Sequence, residues 1–200
     1  MKRTILPSIC ILLCALFATL IPTEAEAAIY DDTLRLHILA PSDSAEDQNL
    51  KLLVRDMVLE KYSYLLKKCS SAASAEAELS KVITDIKAEC EAVILNTGYN
   101  YSVDVAISKE WFDTKDYKGF SLPCGIYNAL IITLGEGEGQ NWWCVMYPPM
   151  CLDVCTADQS GGAYNGAEEK YTQAEDKLIR RRDYNVKFKL LEVASLVLEK

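Results

Sequence analysis

Two carboxylates beside aromatic side chains are the first feature of this sequence that could do chemistry. Glu136 and Glu138 lie in the stretch GEGEGQNWWCVMYPPMC, and Asp153 follows it. A glycosidase holds two carboxyl groups on either side of the scissile bond, about 5 Å apart or further. Here the glutamates alternate with glycines, which leave the backbone free, and nothing nearby supplies the apolar pocket that a general acid requires. The pattern favours a turn, and a secreted cell-wall hydrolase using Glu136 or Glu138 is the alternative.

Other kinds of catalytic or ligand-binding chemistry lack the residues they need. His37 is the single histidine, and no G-x-S-x-G nucleophile motif occurs, so a structural histidine is favoured over a catalytic base. The glycines do not have the G-x-G-x-x-G spacing of a phosphate-binding loop. No C-x-x-C pair occurs, and one histidine leaves a zinc site short of ligands. The sequence therefore predicts no catalytic residue, no metal and no cofactor.

The charge balance excludes one class of partner. The chain has 200 residues, of which 21 are basic and 29 are acidic, and its formal net charge is −8. A protein of this charge is repelled by the phosphate backbone of nucleic acids. The short basic cluster Arg180–Arg182 is more typical of a solvated helix end. We therefore predict no nucleic-acid partner.

The N-terminus has the pattern of a signal peptide. Two basic residues precede an apolar run over residues 5–20, and Ala25–Ala27 then places small residues at alternate positions. This order favours export and cleavage after Ala27. We therefore predict that residues 1–27 are a signal peptide. The alternative is an uncleaved membrane anchor, which would make the domain a tethered scaffold.

The cysteine content agrees with an exported protein. Of eight cysteines, Cys10 and Cys14 fall in the predicted signal peptide, which leaves an even number in the remaining chain. Outside the cytoplasm an even number favours disulfides, although the sequence cannot choose the pairing. The remaining cysteines are Cys69, Cys90, Cys124, Cys144, Cys151 and Cys155.

Apolar spacing predicts a set of strands and helices. Alternation of apolar and polar residues indicates strands, and apolar residues three and four apart indicate helices. Asp43 or Ser44 is expected to cap the first long helix. The predicted order is strand Leu34–Leu39, helix Ala45–Lys67, a helix from Ser74 to about Asn96, strand Tyr99–Ile107, strand Ile126–Leu134, the turn GEGEG, and strand Trp142–Tyr147. The last two strands are predicted to form a hairpin, because the glycines of the turn permit positive φ.

The fold class follows from this order of elements. Residues 28–156 form the main part of the domain, and the polar segment 157–183 is predicted to be a loop or a solvated helix over 167–182. Residues 184–200 are predicted to add a short strand and a C-terminal helix to the same domain. We therefore predict a single α+β domain, with helices packed on one face of a largely antiparallel sheet.

Trp142 and Trp143 are adjacent in a predicted strand. Because successive side chains of a strand point to opposite faces, one ring packs inward and the other is exposed or covered by a loop. Pro148 and Pro149 end the strand, since neither has an N–H to donate. Exposed aromatic rings near prolines are typical of a protein-binding surface, and burial of all three tryptophans in the core is the alternative.

Long blocks of the chain resemble one bacterial protein family. The blocks are LRLHILAPSDSAEDQNLKLLVRDMVLE (34–60), GFSLPCGIYNALIITLGEGEGQNWWCVMYPPMC (119–151) and the weaker YNVKFKLLEV (184–193), and together they resemble stage II sporulation protein R. Pro41 stands where the family usually has Asn, Cys124 stands where it usually has Ala, and Cys155 is additional. The positions that match the family pattern are Arg35, His37, Ser42, Asp43, Asp47, Glu136, Gly137, Gly139, Asn141, Trp142, Trp143, Cys144, Pro148, Pro149 and Cys151.

The resemblance implies a signalling function. Proteins of this family are exported from the forespore into the space between the forespore and mother-cell membranes. There they trigger a membrane-embedded aspartic protease of the mother cell, which removes the pro-sequence of sigma E. The resemblance therefore implies a protease as partner, no enzymatic activity and no small-molecule substrate.

The resemblance also suggests candidate disulfides, but it does not indicate which residues contact the protease. It makes Cys144–Cys151 and Cys124–Cys155 the candidate disulfides. Partner contacts are expected at Asp43, Glu136, Glu138, Asn141, Trp142, Trp143, Pro148 and Pro149.

Overall fold

The computed structural model describes residues 22–117, 120–150 and 171–180, together with Cys14. Helices and strands are numbered separately here, in chain order. The helices are α1 (Glu24–Asp31), α2 (Ala45–Leu66), α3 (Ala72–Lys81), α4 (Ile83–Asn96) and α5 (Gln173–Arg180). The strands are β1 (Leu34–Leu39), β2 (Val103–Phe112), β3 (Lys115–Tyr117), β4 (Phe120–Leu122), β5 (Gly125–Leu134) and β6 (Asn141–Tyr147).

The main sheet has four strands in the order β2-β5-β1-β6. Strand β1 runs parallel to β5 and antiparallel to β6, and β5 runs antiparallel to β2. The period-two pattern of β1 sends Leu34, Leu36 and Ile38 to one face of the sheet, and Arg35 and His37 to the other. All five of these side chains are buried, because layers of the protein cover both faces of this central strand.

The predicted hairpin of β5 and β6 is wrong. Strand β1 lies between them and forms hydrogen bonds with both. The glycine-rich connection begins with a turn, in which the Gly137 N–H donates to the Leu134 carbonyl oxygen at 3.2 Å, and then crosses over the end of β1. Alternation identified both strands correctly, but alternation does not encode which strands are neighbours.

Three helices form the layer on the first face. Helix α2 begins where expected, with the Ser44 side chain accepting a hydrogen bond from the backbone N–H of Asp47. The second predicted helix is divided at Val82, which ends α3 and begins α4. No glycine or proline marks this break, so the apolar spacing could not show it. Cys90 is buried on α4, and this burial raises the pKa of its thiol to about 12.

A second core covers the opposite face of the sheet. Ile29 of α1 and Ile179 of α5 pack there with Phe112 and Tyr127 of the sheet. The small two-stranded sheet of β3 and β4 belongs to this layer, through Phe120 and Leu122. The face that carries Arg35 and His37 is thus enclosed by apolar and aromatic side chains.

The predicted fold class is confirmed. The chain forms a single α+β domain in which two of the three strand pairings of the main sheet are antiparallel. The three longest helices share one face, and α1 and α5 add helices to the other. Helix α5 lies inside the predicted helix of the polar segment. The predictions for 184–200 and for the rest of 157–183 lie outside the described residues.

Helix α1 overlaps the predicted cleavage site. Thr23 and Glu26 form a reciprocal capping box at its start, and Glu26 is buried. A cut after Ala27 would remove this box and leave only the last turn, which carries the buried Ile29. Cleavage after Ala27 stays a prediction. None of the helices in the described part of the chain is long and apolar enough to cross a membrane.

Candidate partner-binding site

The connection over the end of β1 is held at one glycine by direct backbone contact. We call residues 135–140 the glycine loop. The Gly139 N–H donates to the Ala40 carbonyl oxygen at 2.9 Å. A Cβ atom on Gly139 would lie 2.2 Å from the Ser42 carbonyl oxygen, so no side chain fits at this position. Gly135 and Gly137 have positive φ, which glycine adopts without the steric cost that other residues meet.

Helix α2 braces the glycine loop from the side. The Gln140 N–H donates to Asp43 Oδ1 at 2.6 Å, and Lys51 Nζ donates to the Gln140 carbonyl oxygen at 2.8 Å. The Gln48 amide donates to the Ser42 carbonyl oxygen at 2.9 Å. Lys51 is buried, which lowers its pKa, while the nearby Asp43 carboxylate acts in the opposite direction. These bonds fix the loop against the start of α2.

Asp47 joins the same network from the first turn of α2. The Ser42 hydroxyl donates to Asp47 Oδ2 at 2.5 Å, and the Asp47 side chain is almost fully buried. A hydrogen bond with this carboxylate raises the pKa of Tyr101. Ser42, Asp43 and Asp47 come from the first block of the sequence and the glycine loop from the second. The two long blocks therefore meet at this end of the sheet.

The surface presented at this end is acidic. Asp43, Glu136, Glu138 and Asn141 are exposed there. Because both glutamates are exposed, neither carboxyl lies in an apolar pocket of the kind that holds a general acid. The hydrogen bonds of Asp43 and Lys51 to Gln140 fix this acidic surface in place. We call these four residues the acidic rim.

The structure separates the other predicted contact residues from the acidic rim. Pro148 and Pro149 lie beyond the far end of β6, about 20 Å from Asn141 at the usual rise of a strand. Trp142 packs on the first face, where the Arg55 guanidinium lies 4.4 Å from its ring centre. Trp143 lies on the second face. The stretch from Glu136 to Pro149 thus does not form one continuous surface.

His37 and Trp143 form part of a polar cluster on the second face. Their rings stack with centres 3.7 Å apart, and His37 Nδ1 lies 2.7 Å from Glu110 Oε2. Arg35 Nη2 donates to the Tyr117 hydroxyl at 2.7 Å. His37 is 2% exposed and Arg35 is 0% exposed, so both are core residues by location although both are polar.

Several of these residues were not predicted from the sequence. Lys51 and Gln48 lie on a helix face that also carries apolar residues, and nothing in the pattern distinguishes them. Glu110 and Tyr117 are far from β1 along the chain. One usable signal existed, because Arg35 and His37 are polar residues at alternate positions of a strand whose other residues are all apolar.

Only some of the cysteines lie within the described residues. Cys124 is buried, and the Tyr30 hydroxyl donates to its carbonyl oxygen at 3.0 Å. Cys155 lies outside the described residues, so the expected Cys124–Cys155 bridge stays a prediction. Cys144 is disulfide-bonded. Cys151 also lies outside the described residues, so Cys144–Cys151 stays a prediction. Within the described ranges, no group of acidic, histidine and cysteine side chains could hold a metal ion.

Comparison with known proteins identifies the family. Residues 30–157 match the family model of stage II sporulation protein R. Stage II sporulation protein R of Bacillus subtilis (strain 168) is 40% identical over 124 residues, which are 62% of this chain and 55% of the relative. The chain therefore spans little more than half the length of this curated relative. No solved structure matches the chain. The chain belongs to the stage II sporulation protein R family, and its role lies in sporulation.

Proposed function

We propose that this chain is an exported signal of endospore formation and acts as an activator of a protease. It leaves the forespore, enters the space between the two membranes, and binds a membrane-embedded aspartic protease of the mother cell. The protease then removes the pro-sequence of sigma E. In this proposal the chain supplies binding energy to the protease and performs no bond cleavage itself.

One observation carries the proposal, namely the family match over residues 30–157. The N-terminal export pattern and the exposed position of the acidic rim support it. The two blocks that carry the resemblance meet at the acidic rim and brace it through the bonds of Asp43 and Lys51. A surface that is ordered before binding loses less conformational entropy when a partner docks on it.

Deletion of the gene tests the proposal in sporulating cells. We expect pro-sigma E to persist uncleaved in the deletion strain, because the protease is present but is not activated. Re-expression of the parent chain should restore cleavage, as measured by immunoblot of sigma E. Normal processing in the deletion strain would contradict the proposal.

The acidic rim can be tested in the same strain. The double variant Glu136→Gln, Glu138→Gln should restore cleavage less well than the parent, because it removes two exposed charges at the proposed contact. The matched control Glu60→Gln, Glu91→Gln makes the same charge change at exposed positions on α2 and α4 and should behave like the parent. If both pairs behave alike, the partner contacts another surface.

A further inference from the structure

Arg35 has hydrogen-bonding capacity that its surroundings do not use. Its guanidinium lies 4.1 Å from the ring centre of Phe112 and 5.0 Å from that of Tyr127, and it is fully buried. Nη2 donates to the Tyr117 hydroxyl, but Nε and Nη1 have no hydrogen-bond partner among the described residues. A guanidinium offers five N–H donors, so most of this group is unpaired.

The charge of Arg35 is also uncompensated within the described part of the chain. No carboxylate there forms an ion pair with it, and Glu110, the acid of this cluster, is bonded to His37 instead. The two aromatic rings attract the cation through their π faces. Buried charges in proteins are nevertheless normally paired and hydrogen-bonded, since burial removes their hydration. Among the described residues, Arg35 therefore has no anionic partner.

His37 adds a second unpaired group on the same face of the sheet. Its Nε2 atom is buried and has no partner among the described residues, while Nδ1 is held by Glu110. Because the Glu110 carboxylate only accepts, Nδ1 carries the hydrogen, and Nε2 donates only when the ring is protonated. The His37 ring centre is 6.1 Å from that of Phe112, the ring that also lies against Arg35. Both unpaired groups thus lie near one aromatic ring.

We propose that Arg35 and His37 form a binding site for a carboxylate group. The guanidinium supplies two or more donors to its oxygens, and the buried His37 ring lies on the same face of the sheet. Lys115, 5.4 Å from the ring centre of Trp143, adds positive charge at the half-exposed edge of the cluster. The site is a locally basic position in a chain of net charge −8, and its existence does not depend on the proposed function.

The single histidine of the chain provides a direct probe of this site. We would record the ring signals of His37 by NMR in the purified chain during titration with sodium acetate, at constant ionic strength. Acetamide, which has the same shape without the charge, serves as the control ligand. We expect a saturable shift of the His37 signals with acetate and none with acetamide. Without a saturable acetate shift, the proposal is overturned.

The variant Arg35→Met removes the charge and keeps an apolar side chain to pack against Phe112 and Tyr127. It should weaken acetate binding by at least about tenfold, a change equal to about 1.4 kcal/mol. The matched control Arg55→Met removes the cation that lies over Trp142 on the opposite face and should leave the acetate affinity unchanged. Undiminished acetate binding by a folded Arg35→Met variant would overturn the proposal. If this variant does not fold, the comparison of acetate and acetamide binding to the parent chain is sufficient to test the proposal.

Two sources could supply the carboxylate, a free small acid or an acidic side chain of a peptide. A short blocked peptide with one glutamate, compared with its glutamine counterpart, separates them. Binding of acetate alone assigns the site to a free acid. Additional binding of the glutamate peptide, and not of the glutamine peptide, assigns it to a protein side chain.

Discussion

Replacement of Gly139 by alanine is expected to lower the free energy of unfolding by about 3 kcal/mol. The variant is also expected not to restore cleavage of pro-sigma E in the deletion strain. The new Cβ atom would lie 2.2 Å from the Ser42 carbonyl oxygen, and backbone atoms cannot move aside as a flexible side chain does. The glycine loop would have to lift from β1 and lose the bonds that Gly139 and Gln140 make with Ala40 and Asp43. Urea unfolding followed by tryptophan fluorescence measures the loss of stability.

Gly98→Ala is the control for this prediction. Gly98 has a φ of +86°, and nothing lies within 4 Å of the Cβ position. Its replacement by alanine should lower the free energy of unfolding by about 1 kcal/mol, because alanine is strained in the left-handed backbone conformation. Cleavage of pro-sigma E should be unchanged. Equal losses for the two variants would mean that the close approach of Gly139 to Ser42 does not hold the loop.

Replacement of His37 by alanine is expected to lower the free energy of unfolding by about 3 kcal/mol. The substitution removes a buried ring that stacks on Trp143, leaves a cavity in the second core, and deprives Glu110 of its partner. Because Trp143 loses its neighbour, its fluorescence should also change in the folded state. Equilibrium urea unfolding and the native emission spectrum report the two effects.

Glu110→Gln is the matched variant for His37. The glutamine side-chain oxygen still accepts from His37 Nδ1, and Glu110 is partly exposed, so the cost should stay near 1 kcal/mol. Parent-like stability of His37→Ala would contradict a packing role for the ring. A Glu110→Gln variant as unstable as His37→Ala would show that the charge of Glu110 matters more than the ring contacts.

The sequence predicted local structure where local signals are sufficient. Strand Leu34–Leu39 has the predicted bounds, and α2 ends at Leu66, one residue before the predicted end. Both have clear apolar periodicity, and a capping residue marks the start of α2. The break at Val82 was missed because neither proline nor glycine accompanies it.

Contacts between distant positions could not be predicted. His37 and Glu110 are 73 residues apart, and Arg35 and Tyr117 are 82 residues apart. No local sequence pattern indicates a contact between residues so far apart, since the contact depends on the order of the strands in the sheet. The hairpin prediction was wrong for the same reason. Neither the sequence of β5 nor that of β6 shows that β1 lies between them. The role in sporulation came from the resemblance and not from any catalytic pattern.

If the proposed function is correct, this chain by itself activates the protease. The most direct measurement is the cleavage of pro-sigma E in a bacterium that does not sporulate, when the protease, pro-sigma E and the exported chain are expressed together. We expect the shortened sigma factor to accumulate only when all three are present. Equal cleavage without the chain, or no cleavage with the chain exported and folded, would contradict the proposed function.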